Sequence, residues 1–141
     1  MPTRHLAEPL QQLSHAYRSR MRRAIQAAGI ELPITHIRVM KGIAHIPQCT
    51  AQTLSQRMQR DKAQITRALN DLLQQGLIVK RDNPLDRRSH WLALSPSGDA
   101  LMQRLLELEA DTSRQMSLGL DGEQLATFLR LARHMTQNLN N

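Results

Sequence analysis

The segment Asp61–Gly98 constrains this chain most, because it joins a helix-compatible stretch directly to a short hairpin. The stretch DKAQITRALNDLLQQ places Ile65, Leu69, Leu72 and Leu73 on one face at helical spacing, as a buried stripe, and stops at Gly76. Two strand-like runs, LIVKR and HWLAL, then flank the polar, doubly basic tip DNPLDRRS. A helix followed by a basic hairpin is typical of a winged helix-turn-helix, in which the helix enters a DNA major groove and the hairpin lies along a minor groove. The pattern therefore predicts a mainly α fold with a small β-hairpin wing.

Helical periodicity on either side of this segment predicts five further helices. The first carries apolar residues from Leu6 to Ala28 and stops at Gly29; the second runs from Ile34 to Ile46. The short third helix turns Ala51, Leu54 and Met58 inward. Helix N-caps are predicted at Thr50, Asp61, Ser95 and Asp121. Apolar stripes on the fifth and sixth helices comprise Leu101, Leu105, Leu108, Met116, Leu125, Phe128, Leu129, Ala132 and Met135.

Positive charge is concentrated in the front two thirds of the chain. The 141 residues carry a formal net charge of +7, and residues 95–141 are net acidic, with four basic and six acidic groups. A basic chain favours an anionic partner such as nucleic acid. With aromatic residues at only 2% of the chain, binding of single strands through stacked aromatic platforms is disfavoured. Double-stranded DNA is the better candidate.

Other functional classes find little support in the sequence. The single cysteine, Cys49, excludes an intramolecular disulfide, and no two histidines have the spacing of a helical zinc site. Glycine-rich phosphate loops, nucleophile elbows and His-Glu-x-x-His motifs are missing, which argues against an enzyme. No apolar run is long enough to span a bilayer, and the N-terminus lacks a signal-peptide core. We therefore expect a cytoplasmic protein with no metal, no cofactor and no membrane partner.

The outward face of the fourth helix, the recognition helix, carries the candidate DNA-reading residues. Gln64, Arg67 and Asn70 have the paired donors or acceptors needed to bond adenine or guanine edges. Lys62 and Thr66 suit phosphate contacts. The alternative is an ordinary solvated polar face, which most amphipathic helices possess.

The wing tip supplies the second set of candidate residues. Arg87 and Arg88 follow Asp86 in a turn, so a guanidinium can project into a narrow, electronegative minor groove. The Asp86 carboxylate is expected to orient that guanidinium through a charge-assisted pair. The alternative is a solvated surface loop with a weak ion pair.

The terminal helices carry more apolar surface than a three-helix winged module can cover. A symmetric homodimer would bury the first, fifth and sixth helices against their mates. Two recognition helices would then lie about 34 to 36 Å apart, which predicts a pseudo-palindromic site. We expect a single domain over residues 1–141, with dimerisation helices at 1–30 and 99–141 and the DNA-binding region at 31–98.

The run QITRALNDLLQQGLIVKRDNPLDRRSHWLALSPSG resembles the MarR family of bacterial winged-helix regulators. The family's wing signature matches Asp86 and Arg88, and the more generic matches are Gly76, Leu77, Ile78, Leu92, Leu94 and Gly98. Lys80 replaces the family's usual Arg, and Ser95 its usual Thr; both keep the charge or the hydroxyl. The resemblance implies a homodimer, usually a repressor, that is released from its operator by a small phenolic or lipophilic ligand, an oxidant or a metal.

The same resemblance suggests where a small aromatic or phenolic effector would bind. Family members often bind ligands in the crevice between the dimerisation helices and the winged region. The polar candidates here are His15, Tyr17, Arg18 and His36, and the alternative is that they serve packing and helix surfaces. Oxidant-sensing relatives carry a reactive thiol in the first helix, whereas Cys49 precedes the third, which favours a buried or incidental thiol.

A rival from another functional class is a protein-interaction adaptor that uses the winged scaffold without specific DNA binding. Its basic charge would then serve only solubility. Fold alone does not decide between the two, because one scaffold hosts many functions.

Overall fold

The computed structural model describes residues 5–141 and contains six helices and one two-stranded antiparallel hairpin in that part of the chain. The predicted winged helix-turn-helix fold, mainly α with a small β-hairpin wing, is confirmed. In chain order the elements are α1 Ala7–Ala27, α2 Ile34–His45, α3 Ala51–Met58, α4 Lys62–Gln74, β1 Ile78–Asp82, β2 His90–Leu94, α5 Pro96–Met116 and α6 Gly122–Asn140.

Local capping chemistry sets the helix boundaries, and the four predicted N-caps are confirmed. The Thr50 hydroxyl accepts the backbone N–H of Thr53 at 3.1 Å, and the Asp61 carboxylate accepts that of Ala63 at 3.2 Å. Asp121 forms a reciprocal capping box at the start of α6. Left-handed glycines follow three of the helices, at Gly29, Gly76 and Gly119, where a residue with a Cβ would be strained.

The chain divides into two compact units. One contains the described part of Met1–Arg22 together with Leu108–Asn141, and the other contains Arg23–Glu107. Each of the helices α1 and α5 contributes residues to both units. The division into dimerisation helices at 1–30 and 99–141 and a DNA-binding region at 31–98 stays a prediction.

The unit Arg23–Glu107 contains the hydrophobic core, which is built from one face of each helix and of the hairpin. The predicted stripe on α4 is confirmed at Ile65, Leu69 and Leu72, whereas Leu73 is only half-buried. Leu54 of α3 is buried as predicted, but Ala51 is exposed. The other buried apolar residues of this unit are Ile30, Ile37, Val39, Met40, Ile43, Cys49, Ala68, Ile78, Leu92, Met102 and Leu105.

The two strands pair in register from Ile78 opposite Leu94 to Asp82 opposite His90. Since side chains alternate along a strand, Ile78, Lys80 and Asp82 share one face of the hairpin and Val79 and Arg81 the other. The Leu92 amide donates to the Cys49 carbonyl at 2.8 Å, which ties β2 to the segment before α3.

The other unit leaves much of its apolar surface uncovered. Neither α1 nor α6 contains a buried residue. The exposed large apolar side chains of this unit include Leu6, Leu10, Leu13, Met116, Leu118, Leu120, Phe128, Leu129, Leu131, Met135 and Leu139. Within residues 5–141, no helix combines the length and the apolar character that crossing a bilayer requires.

Candidate nucleic-acid interface

The recognition helix α4 presents its polar residues to solvent because its opposite face is built into the core. All five candidates on this helix have exposed side chains: Lys62, Gln64, Thr66, Arg67 and Asn70. The Asp61 cap fixes the start of the helix one residue before Lys62. These five side chains are therefore accessible to a ligand on the outer face of the helix, close to the N-terminus from which side chains most readily approach base edges.

The hydroxyl of Thr66 is already engaged within the helix. Its Oγ1 donates to the Lys62 carbonyl at 2.9 Å, one turn earlier. A phosphate oxygen can only accept hydrogen bonds, so Thr66 would have to release this bond before it could donate to phosphate. Lys62 carries three ammonium hydrogens and is the stronger phosphate candidate of the two.

The rear of the recognition helix is joined to α2 by one polar contact. His36 Nε2 lies 3.0 Å from Asp71 Oδ2, so the ring N–H donates to the carboxylate. The other ring nitrogen, Nδ1, is buried without a hydrogen-bond partner. Sequence reasoning placed His36 among effector ligands; the structure places it against α4, 35 residues away in the chain.

The other three effector candidates lie on α1. His15 and Arg18 have exposed side chains, and Tyr17 is half-buried. The ring of His15 lies 3.5 Å from the Ser19 hydroxyl on the same helix. Their role as ligand-binding groups stays a prediction.

Two side-chain-to-backbone hydrogen bonds build the wing tip. The Asn83 carbonyl Oδ1 accepts the backbone N–H of Leu85 at 2.9 Å, and Asp86 Oδ1 accepts that of Arg88 at 3.0 Å. The Asn83 amide also donates to the Ser89 hydroxyl at 3.3 Å, across the base of the loop. These contacts are the Asx-turns that Asn and Asp favour, so the tip has a defined backbone course.

The contact of Asp86 differs from the one expected. The carboxylate was expected to pair with a guanidinium, but it accepts the Arg88 backbone amide. A carboxylate reaches the amide two residues ahead with little side-chain ordering, whereas pairing with the long arginine side chain would immobilise several torsions. Asp86 therefore shapes the turn that carries Arg87 and Arg88, and both arginine side chains remain exposed.

A groove of about 310 Å³ brings part of the recognition helix and the wing together. Its lining includes Lys62, Thr66 and Asn70 of α4 together with Arg88 from the wing. Gln64, Arg67 and Arg87 are exposed outside this lining.

Two side chains with ionisable groups line the groove although they were not among the predicted DNA-binding residues. Lys80 of β1 and His90 of β2 also line the groove. The signal for both was present, because in-register pairing puts these positions on the same hairpin face as buried Ile78 and Leu92. The groove thus gathers three basic side chains, those of Lys62, Lys80 and Arg88, which suits an anionic ligand such as a DNA phosphate.

The C-terminus of the recognition helix is held by the start of α5. The Ser95 hydroxyl donates to the Gly76 carbonyl at 2.5 Å and accepts the Gly98 backbone N–H at 3.0 Å. The Ser95 amide donates to the Leu77 carbonyl at 3.0 Å. Gly98 packs so closely on Leu77 that a Cβ there would overlap its carbonyl oxygen. We name the contacts among Gly76, Leu77, Ser95 and Gly98 the α4–α5 clasp.

The remaining chemistry-bearing group in this unit is the Cys49 thiol. The side chain is 1% exposed, and burial raises its pKa to about 11. Nucleophilic attack requires the thiolate, so burial disfavours reaction of this thiol near neutral pH. Among residues 5–141, no three His, Cys, Asp or Glu side chains converge to hold a metal ion.

We compared the sequence and the fold with known proteins. Residues 30–89 match the model of the MarR family. This winged helix-turn-helix segment belongs to the MarR family. The match covers α2, α3, α4, β1 and the wing tip, and it includes all the residues that line the groove except His90 and Leu92 of β2.

Curated proteins similar to this chain carry regulatory names. It is 30% identical over 89 residues to an uncharacterized HTH-type transcriptional regulator, YwhA, of Bacillus subtilis (strain 168), with 63% of this chain and 64% of that protein covered. It is 26% identical over 97 residues to the putative transcriptional regulatory protein for the hcr operon of Thauera aromatica. The chain spans about three fifths of the length of these relatives, 64% and 58%.

Solved structures resemble the fold over nearly its full length. The transcriptional regulator PA3341 superposes with a TM-score of 0.80 at 23% identity, covering 97% of this chain and 99% of that one. A mutant MarR from E. coli complexed with operator DNA gives 0.69 at 21% identity, covering 92% and 94%. The PcaV regulator from Streptomyces coelicolor, in complex with its natural ligand, gives 0.68 at 21% identity, covering 97% and 98%.

Proposed function

We propose that this chain is a transcriptional regulator that binds double-stranded DNA sequence-specifically and acts as a repressor. The groove between α4 and the wing is the observation that carries the proposal, because it gathers cationic side chains from two elements beside an exposed polar helix face. The regulatory names of its relatives and the operator complex of a structural neighbour support the same conclusion. Regulation of this kind involves no catalysis and takes place in the cytoplasm, where bacterial operator DNA lies.

Base reading, phosphate binding and minor-groove contact fall to different residues in this proposal. Gln64, Arg67 and Asn70 read base edges in the major groove. Lys62 holds a phosphate and, together with the newly identified Lys80, fixes the register of the helix on the duplex. Arg88 enters the minor groove from a turn that Asp86 shapes.

The regulator acts as a homodimer in this proposal. The exposed apolar side chains of α1, α5 and α6 supply a surface that a second copy would cover. A two-fold pair of recognition helices matches two half-sites about 10 base pairs apart, so the operator is pseudo-palindromic.

An effector would control the repressor by changing the spacing of the two recognition helices. A ligand shifts such an equilibrium only if it binds the two geometries with different affinity. A small aromatic or phenolic molecule is the candidate, as the family resemblance implies, and the ligand complex of PcaV supports the presence of such sites on this fold. His15, Tyr17 and Arg18 remain the polar candidates, whereas His36 serves the α2–α4 contact.

Selection of duplexes from a random pool tests the function directly. The full chain is expected to enrich a pseudo-palindromic site, and log K for that site should fall linearly with log salt, with a slope of about −0.9 per neutralised phosphate. Repeating the selection with aromatic carboxylates present tests the effector. Failure to enrich any site, with no salt dependence, would contradict the proposal and favour the protein-interaction adaptor.

A further inference from the structure

The wing tip displays one large apolar side chain that the proposed function does not yet use. Leu85 lies in loop 83–89 between the paired strands, and its side chain is 85% exposed. Isolated exposed leucines are common on protein surfaces, so exposure alone assigns no role. The position of Leu85 and the residues around it make the case.

The backbone of Leu85 is held in place by its neighbours. Asn83 Oδ1 accepts the Leu85 N–H at 2.9 Å, and the Asn83 backbone carbonyl accepts the Asp86 N–H at 3.2 Å. Pro84, the preceding residue, has a ring-restricted φ. The leucine is therefore presented on an ordered turn, and binding through it would carry little additional ordering entropy.

Leu85 is followed by Asp86, whose carboxylate accepts the Arg88 backbone N–H, and then by two arginines. Arg87 and Arg88 follow within three residues, and both are exposed. A tip that combines an apolar side chain with arginines suits a DNA minor groove, whose potential attracts guanidinium groups. Proteins that bind minor grooves often insert Leu, Ile, Met, Phe or Pro between base steps or against the groove floor.

We propose that Leu85 is an apolar wedge that contacts the floor of the minor groove beside Arg88 and makes the operator flank specific for A·T pairs. This inference rests on the proposed function, because it requires the wing to lie along DNA. A·T pairs suit the wedge since G·C pairs place an exocyclic amino group on the groove floor, where it would obstruct an apolar side chain. In this proposal the Arg88 guanidinium is attracted by the negative potential of the minor groove, and the Leu85 side chain fits against the floor of A·T pairs.

Two substitutions separate apolar contact from mere loop structure. Leu85→Asn keeps nearly the same side-chain size but adds polarity, and it should bind the selected duplex about tenfold more weakly, since apolar contact area is lost. Leu85→Met keeps the apolar character and should bind within about twofold of the parent chain. Because Leu85 neutralises no phosphate, the salt slope should stay unchanged in both variants.

A modified duplex locates the contact on the DNA. Replacing flanking adenines by 2-aminoadenine adds an amino group in the minor groove and leaves the major-groove edge of the pair intact. The parent chain should lose about tenfold in affinity for this duplex, whereas Leu85→Asn should lose little more than it has already lost. The two losses are thus expected to be non-additive, as for groups in contact.

Three results obtained with the Leu85→Asn variant would overturn the inference. These are unchanged affinity of Leu85→Asn, a changed salt slope in that variant, or equal sensitivity of both chains to 2-aminoadenine. Leu85-dependent binding to a protein partner, with DNA affinity unaffected, would likewise overturn it. If the parent chain selects no duplex, the proposed function itself fails and this inference falls with it; if the parent selects one, a negative result at Leu85 leaves the proposed function standing.

Discussion

Individual side chains in the groove differ in how freely they can reach DNA. Lys62 and Arg88 both line the groove and have exposed side chains, whereas the Thr66 hydroxyl is committed to the Lys62 carbonyl. One carboxylate oxygen of Asp86 accepts the Arg88 backbone N–H in the turn. Residue type therefore predicts the candidates, and the local hydrogen bonds rank them.

Thr66 and Lys62 should respond differently to substitution. Thr66→Val removes a hydroxyl that is satisfied within the helix, so DNA affinity should change by less than about 0.5 kcal/mol. Lys62→Ala should weaken binding to all duplexes and reduce the salt slope by about one. Fluorescence anisotropy at several salt concentrations measures both, and a Thr66→Val variant that loses as much affinity as Lys62→Ala would contradict the ranking.

Arg88→Ala should weaken binding to the selected operator by about 1 to 3 kcal/mol while leaving the dimer intact. The reason is that the variant lacks the guanidinium that enters the DNA minor groove in the proposed function. Arg81→Ala is the matched control. It removes the same charge, but Arg81 lies on the face of β1 opposite to the one that carries the groove residue Lys80. Equal losses in the two variants would mean that only net charge matters.

Cys49 should be nearly inert in the native protein. Its raised pKa, about 11, leaves the thiol protonated at pH 8, so iodoacetamide should label it roughly 100-fold more slowly than in the denatured chain. The sign of the shift predicts that native labelling accelerates as pH rises towards that pKa. Mass spectrometry of timed samples measures the rates, and equal labelling of native and denatured chains would contradict the prediction.

At the scale of elements, two polar connections hold the recognition helix from behind and from its end. The His36–Asp71 contact joins it to α2, and the α4–α5 clasp joins its C-terminus to α5. The two connections lie within the unit Arg23–Glu107 and involve side chains from α2, α4 and the start of α5.

Gly98→Ala tests the closeness of that clasp. A Cβ there would overlap a backbone carbonyl that has no side-chain freedom to move, so unfolding free energy should fall by about 2 kcal/mol or more. Gly122→Ala, at the start of α6, meets nothing within 4 Å and should change stability by less than about 0.5 kcal/mol. Urea denaturation followed by circular dichroism, at one protein concentration, compares them; equal stabilities would show that the clasp is looser than described.

At the scale of the whole molecule, the two units differ in how they cover apolar side chains. Arg23–Glu107 closes around a core in which Leu54, Leu72 and Met40 are fully buried. The unit built from the ends of the chain leaves Phe128 51% exposed and Leu129 54% exposed. A surface of this kind is stable in water when another surface covers it, which is the physical basis of the proposed homodimer.

Phe128→Glu should dissociate that dimer. A carboxylate buried without a partner is costly, so the dimer dissociation constant should rise roughly 100-fold, and operator affinity should fall with it. Gln137→Glu adds the same charge on the face of α6 opposite to Phe128 and serves as the control. Sedimentation velocity across a concentration series measures the assembly, and a monomeric parent chain would contradict the dimer at once.

Much of the fold and part of the site followed from short-range sequence patterns. The caps at Thr50, Asp61 and Asp121, the stop at Gly76 and the outward position of Asn70 depend on residues within about one helical turn, where spacing alone determines geometry. The wing's doubly basic tip was likewise readable from its turn residues.

Tertiary structure decided which of those residues meet. Lys80 and His90 enter the groove only because the hairpin folds against α4, and His36 reaches Asp71 across 35 residues of chain. Local propensity carries no information on such distant partners, since they are selected by how the core packs. Residue types and element boundaries were thus determined by the sequence itself, whereas partners, exposure and the shared groove were determined by packing, which brings together atoms that the chain order keeps apart.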